Sequence, residues 1–157
     1  MTTASATVAT GDATPRPRTR GALGRRWPTA LAVTATATSL VLVSPLPAQV
    51  QTWISAWGVL TAAVIYLTWG TARGDLTARR WLTLETTGVL CFGALAIAAT
   101  ASDAATARYV LAAGWLAHAA WDAVHHRADR VVPRWYAELC MVCDLVVAAS
   151  LVFIGSL

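Results

Sequence analysis

The chain has 157 residues, of which 57% are hydrophobic and only 13% are charged. A soluble domain carries about a quarter charged residues, so this composition excludes an ordinary soluble domain and indicates a polytopic membrane protein. The net charge of +4 comes from twelve arginines without any lysine. Because the arginines lie in an N-terminal tail and in short loops between apolar runs, they do not form a nucleic-acid-binding surface.

The N-terminal part of the chain predicts a tail followed by two spans. Residues 1–26 are rich in Thr, Ala and Arg, which predicts a disordered, arginine-rich tail. The next 46 residues carry no charge, and one helix of that length would reach ~70 Å, more than twice the ~30 Å hydrocarbon core. Because Pro45 and Pro47 interrupt a helix, we predict spans at about 28–44 and 51–70. The first could instead be the apolar part of a cleaved signal peptide, which would leave four spans.

Three further apolar segments complete the predicted fold. Together with the first two they predict an all-α transmembrane domain over residues 27–157, a helical bundle with five transmembrane helices. The last three spans are predicted at about 82–101, 107–125 and 134–156.

The placement of arginine predicts the orientation of the bundle. The tail has five arginines and loops 71–81 and 126–134 have three each, whereas the turn at 45–50 has none and the loop at 102–108 has one. Loops rich in arginine are retained on the cytoplasmic side. We therefore expect a multi-pass protein of the cell membrane, in contact with the lipid bilayer, with its N-terminus cytoplasmic and its C-terminus outside.

The last two spans must take polar residues into the membrane. Only 13 residues separate Arg108 from Asp122, and only 13 follow Asp144. Neither run reaches the ~20 residues that a spanning helix needs. Each helix becomes long enough only by including its own acidic and histidine residues.

The depth of these residues can be counted from the flanking arginines. At 1.5 Å per residue, His118 and Asp144 lie ~14–15 Å inside the membrane, and Glu85, Asp122 and Glu138 lie ~6–8 Å inside. The loop between the last two spans is short, which predicts that these spans are antiparallel neighbours. We therefore predict a polar pocket in the inner half of the bilayer, in which His118 can contact Asp144.

One face of the fourth span resembles a set of metal ligands. His118, Asp122 and His125 are spaced i, i+4 and i+7, which places them on one side of a helix. Two imidazoles and a carboxylate, with Glu138 or Asp144 added, could hold a divalent metal such as zinc or iron. Because no known metalloprotease motif is present, the main prediction is a site without a cofactor, and the metal is the alternative.

The same residue types suit acid–base chemistry on a lipophilic substrate. A carboxyl group in an apolar pocket is a usable general acid, and a histidine is a usable base. We predict an enzyme for isomerisation, cyclisation or hydrolysis, in which Trp115 and Trp121 offer π faces to positive charge on the substrate. In residue types this resembles the chemistry of small membrane-embedded terpene cyclases. The candidate catalytic residues are Asp144 and Glu138 as acids, His118 as base or orienting partner, and Asp122 and Glu85 as supporting groups.

Two other classes of function fit the same pattern. A ladder of acids and histidines can relay protons or bind a cation in a coupled carrier. A pair such as His118 with Asp144 can also simply link helices in a structural subunit of a membrane complex. Small residues along the fourth span, such as Gly114, allow close helix packing and also a homo-oligomer.

The three cysteines are too few for a disulfide framework. Cys140 and Cys143 form a CMVC motif that resembles the redox pair of the vitamin K epoxide reductase family. Such an enzyme needs a further cysteine pair to pass electrons on, and this chain has only Cys91 in addition. Two small apolar side chains in a helix are the simpler interpretation of this motif.

Overall fold

The computed structural model of the chain describes residues 26–154, and within that range it consists of α-helices, one turn of 3-10 helix and short loops. The predicted all-α architecture is confirmed for this part of the chain. Each helix agrees with a predicted span to within three residues at either end. The tail before Arg26 and positions 155–157 lie outside the described residues. The elements are α1 (Trp27–Val43), α2 (Ala48–Ala72), the 3-10 turn (Asp75–Thr77), α3 (Arg79–Thr100), α4 (Ala104–Ala128) and α5 (Arg134–Phe153).

Three of the helices, α2, α3 and α5, are long and apolar enough to cross a membrane. α1 is apolar but has only 17 residues. α4 has 25 residues, which is enough to cross, but it carries His118, Asp122 and His125 among its buried side chains. α4 is therefore the helix whose polar groups most need partners from the rest of the bundle.

Prolines and a polar cap fix where the helices begin. Pro47 stands directly before α2, and Pro133 directly before α5. Proline has no N–H to continue a preceding helix, so each of these residues separates two helices. Asp103 caps α4, because its side chain accepts hydrogen bonds from the N–H groups of Ala105 at 3.0 Å and Thr106 at 3.1 Å.

α4 lies at the centre of the bundle. It packs against α2, α3 and α5, while α1 packs mainly against α5. Two apolar clusters fill the interior, one around Phe92 and Trp115 and the other around Trp81 and Val131. The buried polar residues of α4 follow Trp115 and precede Val131 in the chain, so they lie between the two apolar clusters.

One end of the bundle carries nearly all of the described arginines. The 3-10 turn contacts the loop after α4, because Arg130 Nη1 donates a hydrogen bond to Asp75 Oδ1 at 3.1 Å. The ring centres of Trp27 and Trp135 lie 5.3 Å apart, which brings the start of α1 to the same end. Of the eight arginines between positions 26 and 154, seven lie at this end and only Arg108 lies at the other.

The position of Trp121 depends on a glycine in α3. A Cβ atom at Gly88 would lie 2.5 Å from the Trp121 ring, closer than real carbon contacts. The centre of the same ring lies 5.3 Å from that of His125 and 6.1 Å from that of Phe92. The missing side chain at Gly88 therefore lets Trp121 fill the space between α3 and α4, against the buried histidine.

Gly88→Ala is expected to lower the melting temperature in detergent. Overpacking costs about 1–3 kcal/mol, which outweighs the ~1 kcal/mol that alanine gains over glycine within a helix. Gly93→Ala is the matched control on the same helix. Among the described residues its Cβ would meet only Leu60, at an ordinary 3.7 Å, so its Tm should be equal or higher. Equal Tm values for the two variants would contradict the packing role of Gly88.

Asp75 joins the two loops at the arginine end. Its carboxylate accepts hydrogen bonds from the Val131 N–H at 3.0 Å and from Arg130 at 3.1 Å, and Arg73 lies 3.4 Å away. Val131 is buried and has a φ of 69°, a left-handed backbone that is rare for a β-branched residue. Burial by itself raises the pKa of Asp75, but the hydrogen bonds and the guanidinium charges outweigh it and hold the pKa below its ordinary value. An ionised Asp75 therefore stabilises the strained loop.

Asp75→Asn should lower the free energy of unfolding at neutral pH by about 1.5–3 kcal/mol, the usual contribution of hydrogen bonds to a charged group. Because the pKa is lowered in the folded state, the carboxylate stabilises the protein above its ordinary pKa of ~3.9 and loses this effect as the pH falls through the folded-state value. The difference in Tm between wild type and variant should therefore shrink below about pH 4.

Asp129→Asn is the control for this measurement. The Asp129 side chain is 55% exposed and lies 3.5 Å from Arg134, and exposed ion pairs contribute little. This variant should change the Tm only slightly at either pH. A Tm difference for Asp75→Asn that stays constant from neutral to acid pH would show that its charge does not stabilise the loop.

Candidate functional site

Three titratable side chains from α4 and α5 meet inside the bundle. They are His118, Asp122 and Asp144, which we call the His–Asp cluster. His118 Nδ1 lies 2.8 Å from Asp144 Oδ2 and 3.5 Å from Asp122 Oδ1. Tyr66 of α2 adds a fourth group, since its hydroxyl donates a hydrogen bond to Asp122 Oδ1 at 2.6 Å. These contacts connect α2, α4 and α5 through polar side chains alone.

The His–Asp cluster is closed off from the surroundings of the protein. His118 and Asp122 are 0% exposed, and Asp144 is 2% exposed. His118 Nε2 and Asp122 Oδ2 are buried without a hydrogen-bond partner among the described residues. Buried polar atoms normally have partners, and leaving one unpaired costs about 1–3 kcal/mol. These two atoms are therefore free to interact with a group that the described chain does not supply.

A second buried pair consists of Glu85 on α3 and His125 on α4. His125 Nδ1 lies 2.9 Å from the carbonyl oxygen of Trp121, which can only accept, so Nδ1 carries a proton. His125 Nε2 lies 2.7 Å from Glu85 Oε1, and a hydrogen bond there requires one proton between the two atoms. The pair is neutral as a whole, whether it is written as imidazolium with carboxylate or as imidazole with carboxylic acid. This neutrality keeps the cost of burying both groups low.

Glu85→Gln should keep the free energy of unfolding within about 1 kcal/mol of wild type. The amide has the shape of the acid, and its NH₂ group can donate to Nε2 of a neutral His125. Glu85→Ala removes this partner and should cost about 3–5 kcal/mol. Thermal unfolding of both variants in detergent measures the difference. A large loss in Glu85→Gln would mean that the pair needs a full negative charge on Glu85.

The predicted acid–base and metal-ligand residues divide into two sites. The contact predicted between His118 and Asp144 is present, and Asp122 joins it. Glu85 lies instead against His125, whose two ring nitrogens are both engaged. Asp144 therefore takes the place that the sequence analysis gave to His125 in the set of metal ligands.

Glu138, the other predicted acid, lies on a different face of α5. Its Oε1 accepts a hydrogen bond from the Thr29 hydroxyl at 2.7 Å. Nearby, Cys143 Sγ lies 3.8 Å from the carbonyl oxygen of Ala32, and all three cysteines are free thiols. Glu138 and Cys143 thus help to pack α1 on α5, and the structure does not bring Glu138 into the His–Asp cluster.

An apolar cavity lies one helical turn from the His–Asp cluster. Its volume is about 290 Å³, and it lies between α1, α2, α4 and α5. Trp115 forms part of its wall and is held by a hydrogen bond from Nε1 to Ser55 Oγ at 2.8 Å. Trp115 and Val147 each stand three residues from a member of the cluster, so they share a helix face with it. The lining residues are Thr36, Ser39, Leu40, Val43, Ile54, Ser55, Gly58, Trp115 and Val147.

Tyr66 is the site residue that the sequence analysis missed. It lies in the uncharged run between Arg26 and Arg73, where no acid or histidine draws attention to it. Counting depth predicts it, because Tyr66 is seven residues from Arg73 and so has a predicted depth of ~10 Å, close to the predicted depth of Asp122. A tyrosine hydroxyl at that depth needs a hydrogen-bond partner.

Comparison of the chain with protein-family models, curated proteins and solved structures found no match.

Proposed function

We propose that the protein is a multi-pass protein of the cell membrane with five spans, a cytoplasmic N-terminus and an external C-terminus. The 17 residues of α1 extend ~26 Å, close to the thickness of the hydrocarbon core. The central place of α4 supports its being a span, because polar groups in lipid must be satisfied within the protein. The gathering of arginines at one end of the bundle supports the orientation.

We propose further that the protein is an enzyme that carries out acid–base chemistry on a lipophilic substrate. The observation that carries this proposal is the buried His–Asp cluster with an unpartnered imidazole nitrogen, one helical turn from an apolar cavity. The cavity can hold an apolar molecule or part of one. Because His118 is buried and is not part of the cavity wall, the side chains between them must move before the imidazole can exchange a proton with that molecule. Isomerisation, cyclisation and hydrolysis all need such a proton exchange.

Each member of the site has a role in this proposal. Asp144 lies against Nδ1 of His118, so it fixes the orientation of the ring and leaves Nε2 to exchange the proton with the substrate. Asp122, held by Tyr66, lies 3.5 Å from the same Nδ1 atom and adds a second negative charge that stabilises positive charge on the imidazole. Trp115 offers its π face to positive charge that develops on the substrate in the cavity.

Asp144→Asn should abolish turnover while the protein still folds, because the amide cannot balance the charge of the imidazolium. The substrate need not be known to test this. Purified protein is incubated with a total lipid extract of its expression host in deuterium oxide, and lipids that change mass or gain carbon-bound deuterium are identified by mass spectrometry. Wild type should produce such lipids, and Asp144→Asn should not.

Glu138→Gln is the matched control, since it removes a carboxyl from the same helix outside the His–Asp cluster. It should give the same lipid changes as wild type. If wild type leaves every lipid unchanged, the enzyme proposal fails. If Asp144→Asn instead melts far below wild type and no lipid changes in either, the cluster is a structural link between helices.

A proton- or cation-coupled carrier is the second candidate, and the closure of the cluster favours it. A coupling site that is 0–2% exposed resembles the occluded state through which a carrier passes. In proteoliposomes, a carrier would give solute uptake that depends on the pH gradient and is lost in Asp144→Asn, without chemical change to any lipid.

A further inference from the structure

We propose that the His–Asp cluster binds one divalent transition-metal ion through His118 Nδ1, Asp122 and Asp144. The proposal deepens the proposed function by naming a cofactor for the same site. It does not need catalysis to be true, because binding can be measured without a substrate.

The geometry suits such an ion. One nitrogen or oxygen atom from each of the three residues lies within 4.8 Å of the other two. Bonds of ~2.0–2.2 Å to zinc place ligand atoms up to ~4.4 Å apart, so small shifts of the side chains would close the site. One imidazole and two carboxylates are a ligand set for zinc, manganese or iron rather than for copper(I), which prefers sulfur.

A divalent cation would balance the charge of the cluster. Two carboxylates with one imidazolium carry a net charge of −1, and with a neutral imidazole they carry −2. A net charge within the hydrocarbon region is costly. Two carboxylates, a neutral imidazole and a divalent cation sum to zero, so the ion makes the buried cluster neutral while every carboxylate stays ionised.

An unpartnered atom and a supporting hydrogen bond give independent evidence for a ligand. Asp122 Oδ2 is fully buried and has no hydrogen-bond partner among the described residues, although its neighbour Oδ1 accepts from Tyr66. Metal sites typically include a group that does not bind the metal but donates a hydrogen bond to a ligand residue, as Tyr66 does to Asp122. Coordination through Nδ1 leaves the proton on Nε2, so in the metal-bound state His118 can donate a hydrogen bond to the substrate from this atom but cannot act as its base.

The test uses the full-length protein in detergent, stripped of metal with a chelator, and cobalt(II) as the probe. The visible absorption of bound cobalt measures stoichiometry and Kd. Wild type should bind one cobalt ion per chain. Asp144→Asn should weaken binding by more than about 100-fold. Tyr66→Phe should weaken it by about 10–100-fold, the usual effect of losing a hydrogen bond to a ligand residue. Glu138→Gln should bind as wild type does.

X-ray absorption spectra of cobalt bound to wild type provide a test that no folding defect can disturb. One imidazole among the ligands is expected. Two imidazoles would favour the His118–His125 set and overturn the proposal, as would no saturable binding to wild type or unchanged binding in a folded Asp144→Asn. If the protein binds cobalt but changes no lipid, the enzyme proposal fails and the metal site stands. If the metal-free protein changes lipids and wild type binds no cobalt, the metal site fails and the enzyme proposal stands.

Discussion

Buried polar groups must find their partners inside the protein, and α4 carries more buried titratable residues than any other described helix. This constraint places α4 at the centre, where α2, α3 and α5 each supply one of its partners: Tyr66, Glu85 and Asp144. α1 has no titratable side chain and packs at the periphery on α5. The order of the helices around α4 thus follows from where the acids and histidines stand along the chain.

Much of the fold is predictable from the sequence, because apolar length, proline and arginine are strong local signals. The helix bounds, the turn at Pro47 and the short connection between the last two helices could all be predicted in this way. The contact of His118 with Asp144 could also be predicted, because both residues lie about equally far from arginines that flank the same loop. Counting along each helix from a flanking arginine therefore predicts which residues lie at the same level of the bundle.

What depth cannot give is direction around the helix axis. Glu138 has a predicted depth similar to that of Asp122 but points toward Thr29 on α1, because it stands about 120° from Asp144 on the same helix. His125 shares a helix face with His118, but at the level of His125 the neighbouring helix is α3, so Glu85 of α3 is its hydrogen-bond partner. These choices depend on which helix is the neighbour at each level, which a single sequence does not encode locally. Tyr66 was not predicted as a site residue because a tyrosine is apolar except for its hydroxyl and does not stand out in an apolar segment.

The short connection between α4 and α5 sets the rotational register of the two helices. It spans residues 129–133, and two of its residues, Asp129 and Val131, have left-handed backbones. Each residue of a helix advances ~100° around its axis, so one residue inserted here and absorbed by α5 would turn Asp144 away from His118 by more than a quarter of a circle. The number of residues between α4 and α5 therefore determines whether the buried acid of α5 can meet the buried histidine of α4.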